Sequence, residues 1–108
     1  MMDKELKDLV WAHADELRLG LKAEDYDLDG DGEPTVSDWF ESVLDINWIC
    51  HQDKSFRGAE LLVAFGGPNI YINTVTKTVE GSWGGSSEVA SYQDSIGLED
   101  FCEELFAN

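Results

Sequence analysis

The residues of this chain best suited to chemistry are carboxylates, concentrated in two places. The first is the run Asp27-Leu28-Asp29-Gly30-Asp31-Gly32-Glu33-Pro34-Thr35-Val36-Ser37-Asp38. Acids stand at its first, third and fifth positions and Gly32 at the sixth, a spacing by which oxygen ligands enclose a hard cation. Ca²⁺ takes about six to eight oxygens, and glycine permits the sharp turn such a loop requires. Glu33 would offer its backbone carbonyl at the seventh position, and Asp38 stands at the twelfth. Pro34 occupies a position that is usually apolar, Asp38 is shorter than the usual bidentate Glu, and no second loop pairs with this one. The same run also reads as an acidic surface turn.

The second place is the C-terminal segment, where Glu99, Asp100, Glu103 and Glu104 share one face of an expected helix that contains no base. Glu103 and Glu104 lie toward its C-terminus, where the helix dipole disfavours them, and Asp100 and Glu104 repel at i,i+4. At 1.5 Å rise per residue these four charges span roughly 7.5 Å, about one per 2 Å. Duplex DNA carries one phosphate per about 1.7 Å of axis. A rigid row of acids at that density matches a channel lined with Lys and Arg.

Composition points the same way. Twenty-three acids against seven bases give a net charge of −16 in 108 residues. Solubility asks for only roughly 2–8 charges on a small domain, and the surplus destabilises the fold by self-repulsion. It also argues against direct contact with nucleic acid or an anionic membrane, both of which need positive potential. Basic protein surfaces and cations are the partners it suits. No nucleophile–base set, Walker loop or zinc-binding helix is present, and His13 and His51 stand in unrelated contexts, so an enzyme reading has no mechanism. Cys50 and Cys102 fit no metal spacing and read as reduced core thiols of a cytoplasmic protein. The N-terminus has no apolar signal region, and no apolar run is long enough for a membrane span.

The elements that must position these groups follow from periodicity. Residues 3–19 form an amphipathic helix with Leu6, Leu9, Val10, His13 or Ala14, and Leu17 on its stripe and Glu16 among the outer acids. A second helix is expected over 36–45, capped by Thr35 or Ser37. Its inner stripe is Val36, Phe40, Val43 and Leu44, and its outer face Asp38, Glu41 and Asp45. Ile46 to His51 reads as a first strand with Ile46, Trp48 and Cys50 on one face. Between Arg57 and Trp83 the alternation is that of antiparallel strands broken at Gly66-Gly67-Pro68-Asn69 and again within Thr74 to Lys77. Gly84 to Ser87 reads as a turn, Glu88 to Tyr92 as a last strand, and Ser95 as the N-cap of the final helix, whose stripe is Leu98, Phe101, Cys102, Leu105 and Phe106. The expected fold is one α+β domain over residues 1–108: two N-terminal helices, an antiparallel four- to five-stranded meander, and a C-terminal helix on one sheet face.

Two resemblances extend this reading. DLDGDGEPTVSD resembles the loop of dockerin modules and other EF-hand-like sites ending in Asp. That resemblance implies Asp27, Asp29, Asp31 and Asp38 as Ca²⁺ ligands. RGAELLVAFGGPNIYINT, then VEGSW, then the acidic last helix, resembles small acidic accessory proteins encoded on plasmids and phages of Gram-positive bacteria. Some such accessory proteins are anti-CRISPR or anti-restriction factors that mimic DNA. The expected function is therefore a non-enzymatic inhibitor of a nucleic-acid-binding defence complex in the bacterial host cytoplasm. It needs no cofactor, and its partner-binding acids are Glu99, Asp100, Glu103 and Glu104, with Glu80, Asp38, Glu41 and Asp45 as additions. The alternatives are the calcium-binding module, and a regulatory interaction domain acting as monomer or as homodimer through an exposed sheet face with Tyr71 and Tyr92.

Overall fold

Period-two alternation through the middle of the chain yields a sheet with one apolar face. A computed structural model describes residues 2–26 and 32–108. It contains α1 (Met2–Leu19), a 3-10 turn (Ala23–Asp25), α2 (Val36–Phe40), then β1 (Asp45–Cys50), β2 (Phe56–Ala64), β3 (Asn69–Asn73), β4 (Thr78–Trp83) and β5 (Ser86–Ser91), and finally α3 (Leu98–Ala107). The five strands are antiparallel and lie in the order of the chain. Ile46, Leu61, Ile72, Val79 and Ala90 are successive cross-strand partners on one face. The last four of these are buried. One residue earlier or later along each strand, Asp45, Leu62, Tyr71, Glu80 and Val89 form the matching row on the opposite face.

Both long helices cover the Leu61 face. α1 lies over β4 and β5, and α3 over β2. Leu6, Val10, Ala14 and Leu17, the buried stripe of α1, follow the three-and-four spacing of a helix that buries one side. Gly81 admits this helix. A Cβ on Gly81 would stand 2.5 Å from Val10 Cγ2 and 3.0 Å from Leu6 Cδ1, so the absence of a side chain sets how closely helix and sheet approach.

Local hydrogen bonds make the turns. The Asn73 side-chain oxygen accepts from the backbone N–H groups of Val75 and Thr76 at 2.9 and 3.1 Å, and Lys77 closes that turn at φ +55°. This turn contains no glycine, because the asparagine supplies the reversal instead. The buried Thr74 hydroxyl accepts from the Ala59 N–H at 2.9 Å, locking the turn to β2. Gly84 and Gly85 alone connect β4 to β5, since Trp83 already pairs with Ser86. The expected four-residue turn is therefore two residues long, and β5 starts at Ser86.

Four local expectations are corrected. The second helix stops at Phe40 instead of reaching residue 45: the Leu44 N–H donates to the Leu62 carbonyl at 2.8 Å, so the chain joins the sheet edge here. Leu44 is consequently exposed, and Asp45 is a strand residue on the open sheet face, not on the outside of a helix. Cys50 is exposed, because the register shifts between Ile49 and Cys50 and turns the strand end away from the core. Ser95 does not cap α3. Its hydroxyl donates to the Leu17 carbonyl at 2.6 Å, and Gly97 at φ +78° is the N-cap residue. Tyr92, expected on an exposed face, is buried with 5% of its surface exposed.

Two outcomes follow. Gly81→Ala should destabilise the fold by about 1–3 kcal/mol, the usual cost of overpacking, read as a lower urea midpoint with unchanged slope. Burial pushes the Cys102 thiol up to about 12, with the charges of Asp94 and Glu99 adding to the rise. A thiol-reactive dye at neutral pH should therefore label Cys50 in the native protein, and Cys102 only after denaturation.

Candidate acidic interaction surface

α3 is held on three sides before its acids come into play. Leu98 and Cys102 are fully buried beneath it. Phe101 meets Phe40 of α2 with ring centroids 4.9 Å apart. Phe106 meets Trp48 at 5.3 Å and Phe56 at 5.5 Å, anchoring the C-terminal end over β1 and β2. At the N-terminus both Asp94 carboxylate oxygens accept backbone N–H groups, from Leu98 and Glu99, each at 2.9 Å. That satisfies two of the orphan donors every helix start leaves, and it sets negative charge at the positive end of the dipole. At the other end the Asn108 side-chain amide donates to the Glu104 carbonyl at 2.8 Å. It answers one of the last carbonyls without a basic residue.

With about 3.6 residues per turn, Glu99, Asp100, Glu103 and Glu104 occupy the arc facing away from Leu98 and Cys102. Glu99 accepts an ion pair from Lys77 Nζ at 2.8 Å. Both partners are more than two-fifths exposed, so the pair contributes little to stability. Asp100, Glu103 and Glu104 are exposed and have no ion-pair partner among the described residues. The other ion pair found there joins Arg18 to Asp15 at 2.8 Å. The surplus of acids is thus left largely uncompensated by neighbouring bases.

The remaining expected site residues divide. Glu41 follows α2 and is exposed, on the element that packs against α3. Asp38 is engaged locally: its Oδ2 accepts from the Thr35 N–H at 2.7 Å and the Thr35 hydroxyl at 3.1 Å. The Asp38 N–H in turn donates to Thr35 Oγ1 at 3.3 Å, completing a capping box. Glu80 and Asp45 belong to the opposite face of the sheet and share no surface with α3. Of the expected calcium ligands, Asp27, Asp29 and Asp31 lie outside the described residues. Glu33 is exposed, and Asp38 carries the capping role just given.

One carboxylate has a role that its place on the helical wheel did not suggest. Glu16 accepts the buried Trp39 indole N–H at 3.0 Å through one oxygen and the Tyr26 hydroxyl at 3.4 Å through the other. It thereby joins α1 to α2 and to the end of the 3-10 turn. Burial, then the Glu16 charge and hydrogen bond, push the Tyr26 phenol up to about 12. Trp39 and Tyr26 were the available signal, because an indole N–H or phenol hydroxyl taken out of water needs an acceptor. Beside this clamp a groove of about 420 Å³ opens between His13, Glu16, Leu19 and Lys22.

Burial lowers the His13 pKa below 6.5, and the nearby Glu16 charge only partly opposes this. Below pH 6.5 the unfolded chain takes up a proton that the folded chain resists. The stability His13 contributes is therefore complete above 6.5 and lost as pH falls from there toward the lower folded value. In urea titrations at about pH 7.5 and pH 5.5, the wild type should lose ground against His13→Asn at the lower pH. Compared with protein-family models, with curated proteins and with solved structures, the chain matches none.

Proposed function

We propose that this protein is a non-enzymatic inhibitor that sets an acidic helix against the cationic groove of a nucleic-acid-binding defence complex, a CRISPR effector foremost, inside a bacterial host cell. The observation carrying this reading is the solvent arc of α3, where Asp100, Glu103 and Glu104 stand exposed without ion-pair partners among the described residues. The helix bearing them is anchored by Cys102, Phe101 and Phe106, so its charges are held in a fixed pattern. Preorganised charge loses little freedom on binding. Glu41, exposed at the C-terminal end of α2, is a further acid for the same partner, while Glu99 is shared with Lys77 and contributes less.

The energetics favour a binding role over a solubility role. Like charges at Asp100 and Glu104 repel across one turn, and Glu103 and Glu104 oppose the dipole. A fold keeping these penalties where no structural contact uses the carboxylates gains from them elsewhere. The resemblance of residues 57–83 and the last helix to acidic accessory proteins of plasmids and phages supports the same class of target.

The test is the triple variant Asp100→Asn, Glu103→Gln, Glu104→Gln, competed against DNA for a purified CRISPR effector. Competition should weaken by about tenfold or more, and wild-type competition should fall steeply with added salt. The same variant should melt at the wild-type temperature or above it, because the repulsion is gone. Unchanged competition by a folded variant would refute the proposal.

A further inference from the structure

The face of the sheet turned away from α1 and α3 is partly apolar, and every charged residue at its paired positions is an acid; Arg57, at the register shift of β2, has no cross-strand partner. On it Leu62, Tyr71 and Val89 stand on β2, β3 and β5 in one cross-strand row. Val89 is 56% exposed, and Leu62 and Tyr71 are half-exposed. Glu80 lies in the same row between Tyr71 and Val89, Asp45 ends it on β1, and Glu60 sits two residues along β2 from Leu62. The other paired positions on this face are Asn, Ser, Thr, Ile49 and Gly58. Lys77 turns to the helical side to meet Glu99, so it does not neutralise the face. Among the described residues Glu80 has no ion-pair partner and accepts a hydrogen bond from the Thr78 hydroxyl at 3.1 Å.

Neighbouring strands are about 4.8 Å apart, so the row from Leu62 to Val89 covers roughly 14 Å. Its apolar side chains are interrupted and flanked by carboxylates. A second copy of this chain is a poor occupant. A twofold contact brings the same patch against itself, and Asp45, Glu60 and Glu80 would then meet their own kind with no base at the paired positions of the row. We infer that the open sheet face is a docking surface for a basic, apolar-studded segment of a partner protein, whose Lys or Arg side chains meet Asp45, Glu60 and Glu80 while its apolar residues cover Leu62, Tyr71 and Val89. This surface lies across the sheet from α3 and stands or falls independently of the inhibitory role given to that helix.

The experiment titrates isotope-labelled protein with a short Leu/Lys peptide and with a Gly/Lys peptide of the same length and charge, following backbone amide shifts. The Leu/Lys peptide should shift Leu62, Tyr71, Glu80 and Val89 and bind about tenfold more tightly than the Gly/Lys peptide. Tyr71→Ser and, separately, the more exposed Val89→Ser should abolish that preference with the spectrum still dispersed. The Asp100/Glu103/Glu104 variant should keep it. Equal affinities, shifts confined to the helices, or a preference untouched by both sheet variants would overturn the inference. So would a dimer in sedimentation that Tyr71→Ser dissolves, since a second copy would then be the occupant.

Discussion

The one-sided burial of the sheet is the constraint on which everything else rests. Two helices share a single face of five strands, and α1 packs over Gly81, where no side chain intervenes. That contact sets the height of α1, which positions Leu17 to receive the Ser95 hydroxyl and Glu16 to receive Trp39. The segment leading into α3 is thus fastened to α1, and α2 is fastened to α1 as well. A side chain at residue 81 would lift the helix and disturb both attachments together. Because both helices lie on one side, the other side of the sheet is left open.

Charge acts against this architecture. A net charge of −16 on a chain this short repels itself, and two ion pairs among the described residues relieve little of it. Stability must come from apolar burial, from satisfied turns and from helix caps. Several acids serve there: Asp94 caps α3, Asp38 completes the capping box of α2, and Asp53 accepts from the Ser55 hydroxyl at 2.6 Å. Others, Asp100, Glu103 and Glu104 on the outer arc of α3, have no ion-pair partner among the described residues. This division separates acids engaged by neighbouring groups from acids left to solvent.

The sheet was legible because alternation and turn residues agreed over residues 57–83. The α1 and α3 stripes were legible in Leu6, Val10, Leu17, Leu98 and Cys102, all buried, whereas Leu9 and Leu105, expected on the same stripes, are each 40% exposed. What escaped were the choices made by long-range contacts. Val43 and Leu44 continue a helical pattern, yet a backbone bond from Leu44 to Leu62 draws that stretch to the sheet. Ser95 has the chemistry of an N-cap, but the Leu17 carbonyl claims its hydroxyl and Asp94 takes over the capping. Cys50 sits among apolar residues in the chain and faces solvent because of a register shift. The acids of α3 were visible as a row, whereas the separation of Glu80 and Asp45 from them depends on strand register, which flips faces with each residue.

The Glu16 clamp concentrates two attachments in one side chain. Tyr26 and Trp39 both donate to its carboxylate, and the second donor is a buried indole. Loss of that carboxylate would strand both donors at once, and a buried donor left unsatisfied costs about 1–3 kcal/mol. A change at one position would thereby loosen α1 from α2 and from the 3-10 turn together.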